Sequence, residues 1–558
     1  MSVKTRRTLA ILLAFAIMVA AVGTVLAAPP GTVDVQILAV NDFHGNLEPP
    51  AGSAGRIEGI DAGGVEYLAT HINALRALNP NTVVVSAGDM IGASPLLSAL
   101  FHDEPSIEAF NLIGLDYNAV GNHEFDEGID ELVRMQEGGC HPVDGCLDGD
   151  GFDGADFRYL AANVVYEKNG KTIFPAYKIK SLAGAKIAFI GMTLEGTPTI
   201  VTPSGVAGLR FLDEADTVNA LIPELKKKGI ETIVVLIHEG GFPTGGYNEC
   251  PGISGPIVDI VNRMDDEVDL VISGHTHQAY NCVIDDKIVT SAASFGRLVT
   301  KVDLTIERAS GEVVSMQADN RIVTRDVPKD NLLTALIAKY NAIAAPLANR
   351  VIGSITADIT RTTNAAGESA LGDVIADAQF EATADPAFGG AVVAFMNPGG
   401  IRADLTYASS PAGEGDGNVT YGEAFTVQPF GNSLVTMTLS GAQIDTLLEQ
   451  QFNGCDTQTA NRVLQVSAGF TYSWSLSAPP CDKVDPATIQ INGVTVDPAA
   501  SYRVTVNSFM ADGGDNLLVL VQGTDRLGGA VDIDALEAYF AANSPVAPGP
   551  QDRITQVP

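Results

Sequence analysis

Over roughly the first 300 positions, short apolar, β-branched runs alternate with longer amphipathic stretches. Residues 35–40, 82–86, 185–190, 232–237 and 270–273 are bounded by Gly, Asp or Asn and predict strands. Residues 64–78 and 216–228 carry helical spacing instead. Such alternation predicts α/β layers around mainly buried sheets. Residues 329–347 then read as one helix, with Asp330-Asn331 as its cap and Leu333, Leu336, Ile337, Tyr340 and Ile343 as its apolar stripe. A second globular region starts near Val351 with a helical pattern over 372–383 and continues in strands and Gly-rich turns. No internal repeat is present, and 411–418 is a Gly/Asp loop.

The first 28 residues differ from everything after them. Lys4, Arg6 and Arg7 precede an apolar run that ends at Ala27-Ala28 before Pro29-Pro30. A basic start, an apolar middle and small residues before a break predict an export signal over 1–27. Its length also suits an uncleaved N-terminal anchor, while the polar tail from Asn543 offers no second one. After cleavage no stable membrane insertion is expected, and the chain is expected outside the cytoplasm: secreted, periplasmic or on the envelope exterior.

The 558 residues exceed one ordinary domain, and 46% hydrophobic against 18% charged residues excludes a disordered chain. A net charge of −34 argues against a nucleic-acid duplex as partner, because backbones of that kind need basic stripes. An anionic small molecule fits only where cations are concentrated locally. Six cysteines agree with export; of fifteen connectivities the simplest is local closure, Cys140–Cys146, Cys250–Cys282 and Cys455–Cys481. The acidic stretch 144–156 lacks the EF-hand order and reads as a solvated, disulfide-closed surface loop.

The chemistry lies where the strands end. They run into Asn41-Asp42-Phe43-His44, Gly88-Asp89, Gly121-Asn122-His123-Glu124-Phe125-Asp126, His238-Glu239 and Gly274-His275-Thr276-His277. Carboxyl ends of strands in an open α/β sheet line one crevice, where ligands bind. One such histidine is ordinarily a capped or solvent-facing side chain. Five of the chain's eight, at equivalent positions beside Asp42, Asp89 and Asn122, are not; His71, His102 and His141 fall outside the pattern. Mixed imidazole, carboxylate and amide donors suit Zn, Mn, Co or Fe, and their number matches two divalent ions sharing a carboxylate. Such a pair provides the missing positive charge and lowers the pKa of a bound water, which suits in-line displacement at phosphorus. No GxSxG elbow is present to support acyl transfer.

These five motifs, in this order, resemble the signature of calcineurin-like metallophosphoesterases, and with the second half the chain resembles the secreted 5′-nucleotidase family. The resemblance implies an N-terminal four-layer β-sandwich flanked by helices (32–325), a linker helix and hinge (326–350), and a smaller mixed α+β substrate domain (351–550). It implies one metal on Asp42, His44, Asp89 and His277, and another on Asp89, Asn122, His238 and His275, with Asp89 bridging. The family often has Gln or Asn at the position of His277. His123 is implied to contact the phosphate, oriented by Asp126.

In the second half, Asn397-Pro398-Gly399-Gly400-Ile401-Arg402 follows a strand-like run; its Gly-rich turn brings backbone N–H groups near a ligand, and Arg402 can pair with phosphate oxygens. The resemblance extends to Gln428–Asn432 and Asn507–Asp515, implying Phe430 and Phe509 as a base sandwich and Asp515 as ribose acceptor. Residues 367–373 hold no Arg where some relatives place phosphate-binding ones, and Arg361 is out of register. The expected activity is hydrolysis of 5′-nucleotides to nucleoside and phosphate by attack of a metal-bound hydroxide. Alternatives are a 2′,3′-cyclic-nucleotide phosphodiesterase/3′-nucleotidase, a UDP-sugar or dinucleotide hydrolase and, in another class, a non-catalytic nucleoside-binding or adhesion protein.

Overall fold

A computed structural model describes residues 31–50, 52–201 and 203–558; the expected signal, 1–27, lies outside the described residues. The first half holds two six-stranded sheets. One runs Val313–Ile322, Leu298–Glu307, Thr32–Val40, Thr82–Ser86, Tyr117–Ala119, Arg158–Leu160. The other runs Ala279–Ile284, Lys287–Ala292, Leu270–Ser273, Thr232–His238, Ala185–Thr193, Tyr177–Leu182. Their central pairs are parallel. Every residue of Thr232–His238 is buried, which requires cover on both faces of the sheet.

That cover comes from four layers. The sheets face each other through Val35, Ile37, Val85, Phe189, Leu236 and Ile272. Helices Val65–Arg76 and Glu104–Ile113 cover the first sheet with Ile72 and Phe110. Helices Glu214–Lys227 and Pro256–Arg263 cover the second with Val218, Ile222, Ile257 and Val261.

The second half is smaller and mixed. Its five-stranded sheet runs Gln465–Val466, Val393–Met396, Ser501–Asn507, Ser433–Ser440, Thr524–Val531, with a four-stranded sheet alongside. Helix Gly441–Gln450 packs through Leu447 and Leu448 beside Phe452 and Trp474. Helices Ala370–Thr383 and Asp532–Asn543 enclose a separate core with Leu371, Ile375, Leu536 and Phe540.

Helix Asn331–Ala348 connects the halves, capped as anticipated: the Asp330 carboxylate accepts from the backbone N–H groups of Leu332 and Leu333. Its buried stripe is Leu333, Ile337, Tyr340 and Ala344 rather than one that includes Ile343, which is exposed. A spacing of 4, 3 and 4 keeps the small Ala344 on the inner face. All four side chains join the first half's core.

The three disulfides are Cys140–Cys146, Cys250–Cys282 and Cys455–Cys481. The first of them closes only residues 140–146, so most of the acidic stretch 144–156 lies outside its ring, and that stretch is not simply solvated. The Asp148 side chain is fully covered and accepts from Lys339 at 2.8 Å and Tyr340 at 3.1 Å, tying the loop to the connecting helix. Nearby, His102 stacks on His141 with centroids 3.7 Å apart and bonds Glu127 at 2.8 Å and Asp144 at 3.0 Å.

Candidate active site

Parallel strands end at one edge of a sheet, and here those edges deliver the donors predicted from sequence to one place. Asp42, His44 and His277 offer ligand atoms within 4.8 Å of one another, as do Asp89, His238 and His275. Asp89 Oδ2 reaches both groups, lying 2.9 Å from His238 Nε2 and 3.6 Å from His44 Nε2. Asn122 Oδ1 lies 3.1 Å from His238 Nε2 and 3.0 Å from His275 Nδ1. The side chains of Asp42, His44, Asp89 and His238 are essentially inaccessible.

The backbone is held in an uncommon form to achieve this. Asp42, His44, Asp89, His275 and His277 all have left-handed φ, between 48° and 69°. Such conformations cost about 1–3 kcal/mol each for bulkier side chains and persist where surroundings over-determine them. The surroundings are visible: the His275 N–H donates to both Asp42 oxygens at 3.0 Å, and the His123 N–H donates to Asp89 Oδ1 at 2.9 Å.

The donor chemistry fits divalent cations. The Nδ1 atoms of His44 and His238 face the carbonyls of Gly92 and Ala87, each at 2.8 Å, so Nδ1 donates and Nε2 is turned inward. His44 Nε2 then sits 3.0 Å from His277 Nε2 and 4.0 Å from Asp42 Oδ1, spacings suited to neighbours around one ion with bonds near ~2.1 Å. Burial, partly opposed by Asp89, brings His44 down to about 3, so it is a neutral donor; burial and His238 do the same to His275. Burial also disfavours charge on His238, but Asp89 and Asp42 push it up to about 10. A cation would displace the proton between His238 and Asp89.

Glu124, which lies within the Gly121–Glu124 motif but has no role legible in the sequence, is a further part of the site. Its carboxylate is buried and accepts from the backbone N–H groups of Gly121 at 2.7 Å, Met90 at 2.9 Å and Asp89 at 3.0 Å. It therefore pins two ligand-bearing turns together. Its signal was its place in Gly121-Asn122-His123-Glu124.

His123 Nδ1 bonds Asp126 Oδ2 at 2.8 Å. Burial works against its charge, and Asp126 and Asp89 outweigh that and raise it. The His123 ring stacks on Phe430 of the second half, centroids 5.8 Å apart at 18°. The Arg402 guanidinium stands over the other ring partner, 5.8 Å from the Phe430 centroid. Burial and the adjacent Arg361 lower Arg402, so Arg361 is near the site although it is out of register in the sequence.

A cavity of about 200 Å³ joins these parts: Asn122, His123, Asp126 and His275 line it from the first half, and Asn397, Gly399, Gly400, Arg402, Phe430, Phe509 and Asp515 from the second. Asn397 Nδ2 donates to Asp515 Oδ2 at 2.8 Å. A Cβ on Gly514 would stand 2.5 Å from the Phe509 ring, so glycine there leaves space for that ring. Asn432 and Arg462 also line the cavity and were not singled out from sequence. Arg462 is remote in sequence and carries no motif. A neighbouring cavity of about 400 Å³ shares Arg402 and adds Arg361, Phe295 and Asp404.

Residues 35–279 match the calcineurin-like phosphoesterase family, and residues 351–522 match the 5′-nucleotidase C-terminal domain. The chain belongs to this two-domain phosphoesterase family. It is 32% identical over 94% of its length to Endonuclease YhcR of Bacillus subtilis, spanning 41% of that protein. It is 33% identical over 88% of its length to the cell wall protein Lmo0130 of Listeria monocytogenes, spanning 65% of it. The chain thus covers less than two thirds of either relative. Its structure resembles that of a 5′-nucleotidase precursor from Thermus thermophilus, with a TM-score of 0.77, 26% identity, and coverage of 94% of this chain and 99% of that one.

Proposed function

We propose that this phosphoesterase is an exported 5′-nucleotidase that holds two divalent ions and releases phosphate from nucleoside 5′-monophosphates. One observation carries the reading: metal-type donors from one domain and two aromatic rings with a carboxylate from the other line a single cavity of about 200 Å³. Asp42, His44 and His277 would hold one ion and Asn122, His238 and His275 the other, with Asp89 between them. When bound, the ions supply Lewis acidity at phosphorus and a more acidic water.

The chain's own residues supply the rest. Arg402 and the Gly399-Gly400 turn receive the phosphate oxygens. His123, kept charged by Asp126, meets the negative charge that builds there as water adds and the P–O5′ bond breaks. Phe430 and Phe509 hold the base by stacking, which tolerates any π-face, so base preference is loose. Asp515 accepts from the ribose hydroxyls. Export is supported by the N-terminal pattern of residues 1–27 and by three disulfides, which persist in oxidising compartments. Among the described residues no helix is long and apolar enough to cross a membrane.

A second reading, hydrolysis of nucleoside diphosphate conjugates such as UDP-sugars or dinucleotides, is favoured by the 400 Å³ cavity where Arg361 adjoins Arg402. A panel of AMP, UMP, ATP, UDP-glucose and cyclic AMP, read by free phosphate and by chromatography of the nucleotide products, separates the two, run after chelation and re-addition of Mn, Co or Zn. Metal-restored release from AMP and UMP supports the first reading. Restored activity confined to cyclic AMP, or none on any nucleotide, would refute it.

A further inference from the structure

Asp515 is held from two sides. Asn397 donates to its Oδ2 at 2.8 Å, and the Arg462 guanidinium pairs with its Oδ1 at 3.0 Å. Gln458 Nε2 fixes its main chain by donating to the Asp515 carbonyl at 2.8 Å. Asp515 is 3% exposed and its φ is 57°, so the side chain and its backbone are both constrained.

The segment that brings Arg462 is itself braced. Cys455–Cys481 ties down its start, Gln458 Nε2 also donates to the Gln450 carbonyl at 2.9 Å, and the Arg462 N–H donates to the Gln451 carbonyl at 2.7 Å. The guanidinium lines the cavity, and its Nε is buried with no hydrogen-bond partner among the described residues. An arginine aimed from a fixed loop at one carboxylate oxygen is a device for orientation.

The arithmetic of the carboxylate shows what is oriented. Two oxygens offer about four acceptor positions. Asn397 and Arg462 take one on each oxygen, leaving one on each for a ligand. Two acceptors about 2.2 Å apart on one carboxylate suit the paired hydroxyls of a cis-diol. A lone hydroxyl leaves one of them unmet in a buried site, where an unmet polar group is costly.

We propose that Arg462 is a positioning residue that determines specificity: by fixing Asp515 it makes the site select nucleotides with an intact 2′,3′-diol. This rests on the assignment of Asp515 to the sugar made above. Burial raises the Asp515 carboxyl, and Arg462 is the first of the groups that oppose it. Removing the guanidinium would therefore allow the carboxyl to take up a proton at higher pH and turn an acceptor into a donor.

The test uses the full metal-loaded protein, R462M and R462K, with AMP, 2′,3′-dideoxy-AMP and bis(p-nitrophenyl) phosphate as substrates. Wild type is expected to favour AMP over the dideoxy analogue in kcat/KM. In R462M that ratio falls by roughly 10- to 100-fold, the scale of a lost charge-assisted contact, chiefly through the KM for AMP. R462K recovers part of it, and in R462M the KM for AMP begins to climb at a higher pH on acidification than in wild type. A residue that only supported the fold would lower both nucleotides together, so an unchanged ratio overturns the inference while leaving AMP hydrolysis intact. A wild type that cleaves the aryl diester but no nucleotide overturns the nucleotidase reading and this inference with it.

Discussion

Replacing Glu124 with Ala tests the support beneath the metal donors without touching a donor. The carboxylate accepts from three backbone N–H groups, of Gly121, Met90 and Asp89, at 2.7 to 3.0 Å. Burial and the charge of Asp89 push its carboxyl up to about 8, against the pull of those N–H groups. Truncation leaves three buried donors facing a void. At about 1–2 kcal/mol for each orphaned donor the loss is roughly 3–6 kcal/mol. Asp89 and Asn122 sit on the turns that Glu124 joins, so metal affinity should also fall, by about 10- to 100-fold as for other residues that orient ligands. Urea unfolding of the metal-free protein reads the first effect, and competition with a chromophoric chelator reads the second. E124Q should fall between, because its amide oxygen still accepts while its NH₂ confronts one N–H. An E124A protein with wild-type unfolding midpoint and wild-type metal affinity would refute the reasoning.

Four other outcomes follow from the same structure. H123A should lower kcat by roughly 10²–10⁴ and D126A by less, with metal content unchanged by elemental analysis; full activity in both would remove the dyad from the reaction. F430A and F509A should each raise the KM for nucleotides by roughly 5- to 100-fold, from about 1–3 kcal/mol of stacking. G514A should reproduce part of the F509A effect, since its Cβ would displace that ring, and a KM equal to wild type would dissociate the two. Burial opposes charge on His102, but Glu127 and Asp144 raise it to about 8, above its unfolded value near 6.5. Its stabilisation is therefore complete below pH 6.5 and lost as pH rises through 8. With both carboxylates about half exposed, the difference between wild type and H102Q should be only ~1 kcal/mol at pH 6 and vanish by pH 9 in equilibrium unfolding.

Much of this protein was determined locally and could be read from the sequence. Strands such as 232–238 are continuous apolar runs because both faces are covered, and the Asp330 cap announces its helix because its partners lie two and three residues on. The donors Asp42, Asp89, His238 and His275 were legible because parallel strands must all end on one side, so position in sequence implied position in space. Arg462 and Asp515, Asp148 and Lys339, and Glu124 with the Met90 amide pair across 53, 191 and 34 residues. Nothing in local composition encodes such meetings. The inner face of the connecting helix was likewise decided by which side chain met the core, favouring Ala344 over the larger Ile343. Short-range hydrogen bonding and hydrophobic periodicity belong to the chain itself; which distant charges become neighbours, and how each is then held, exists only once the layers have packed.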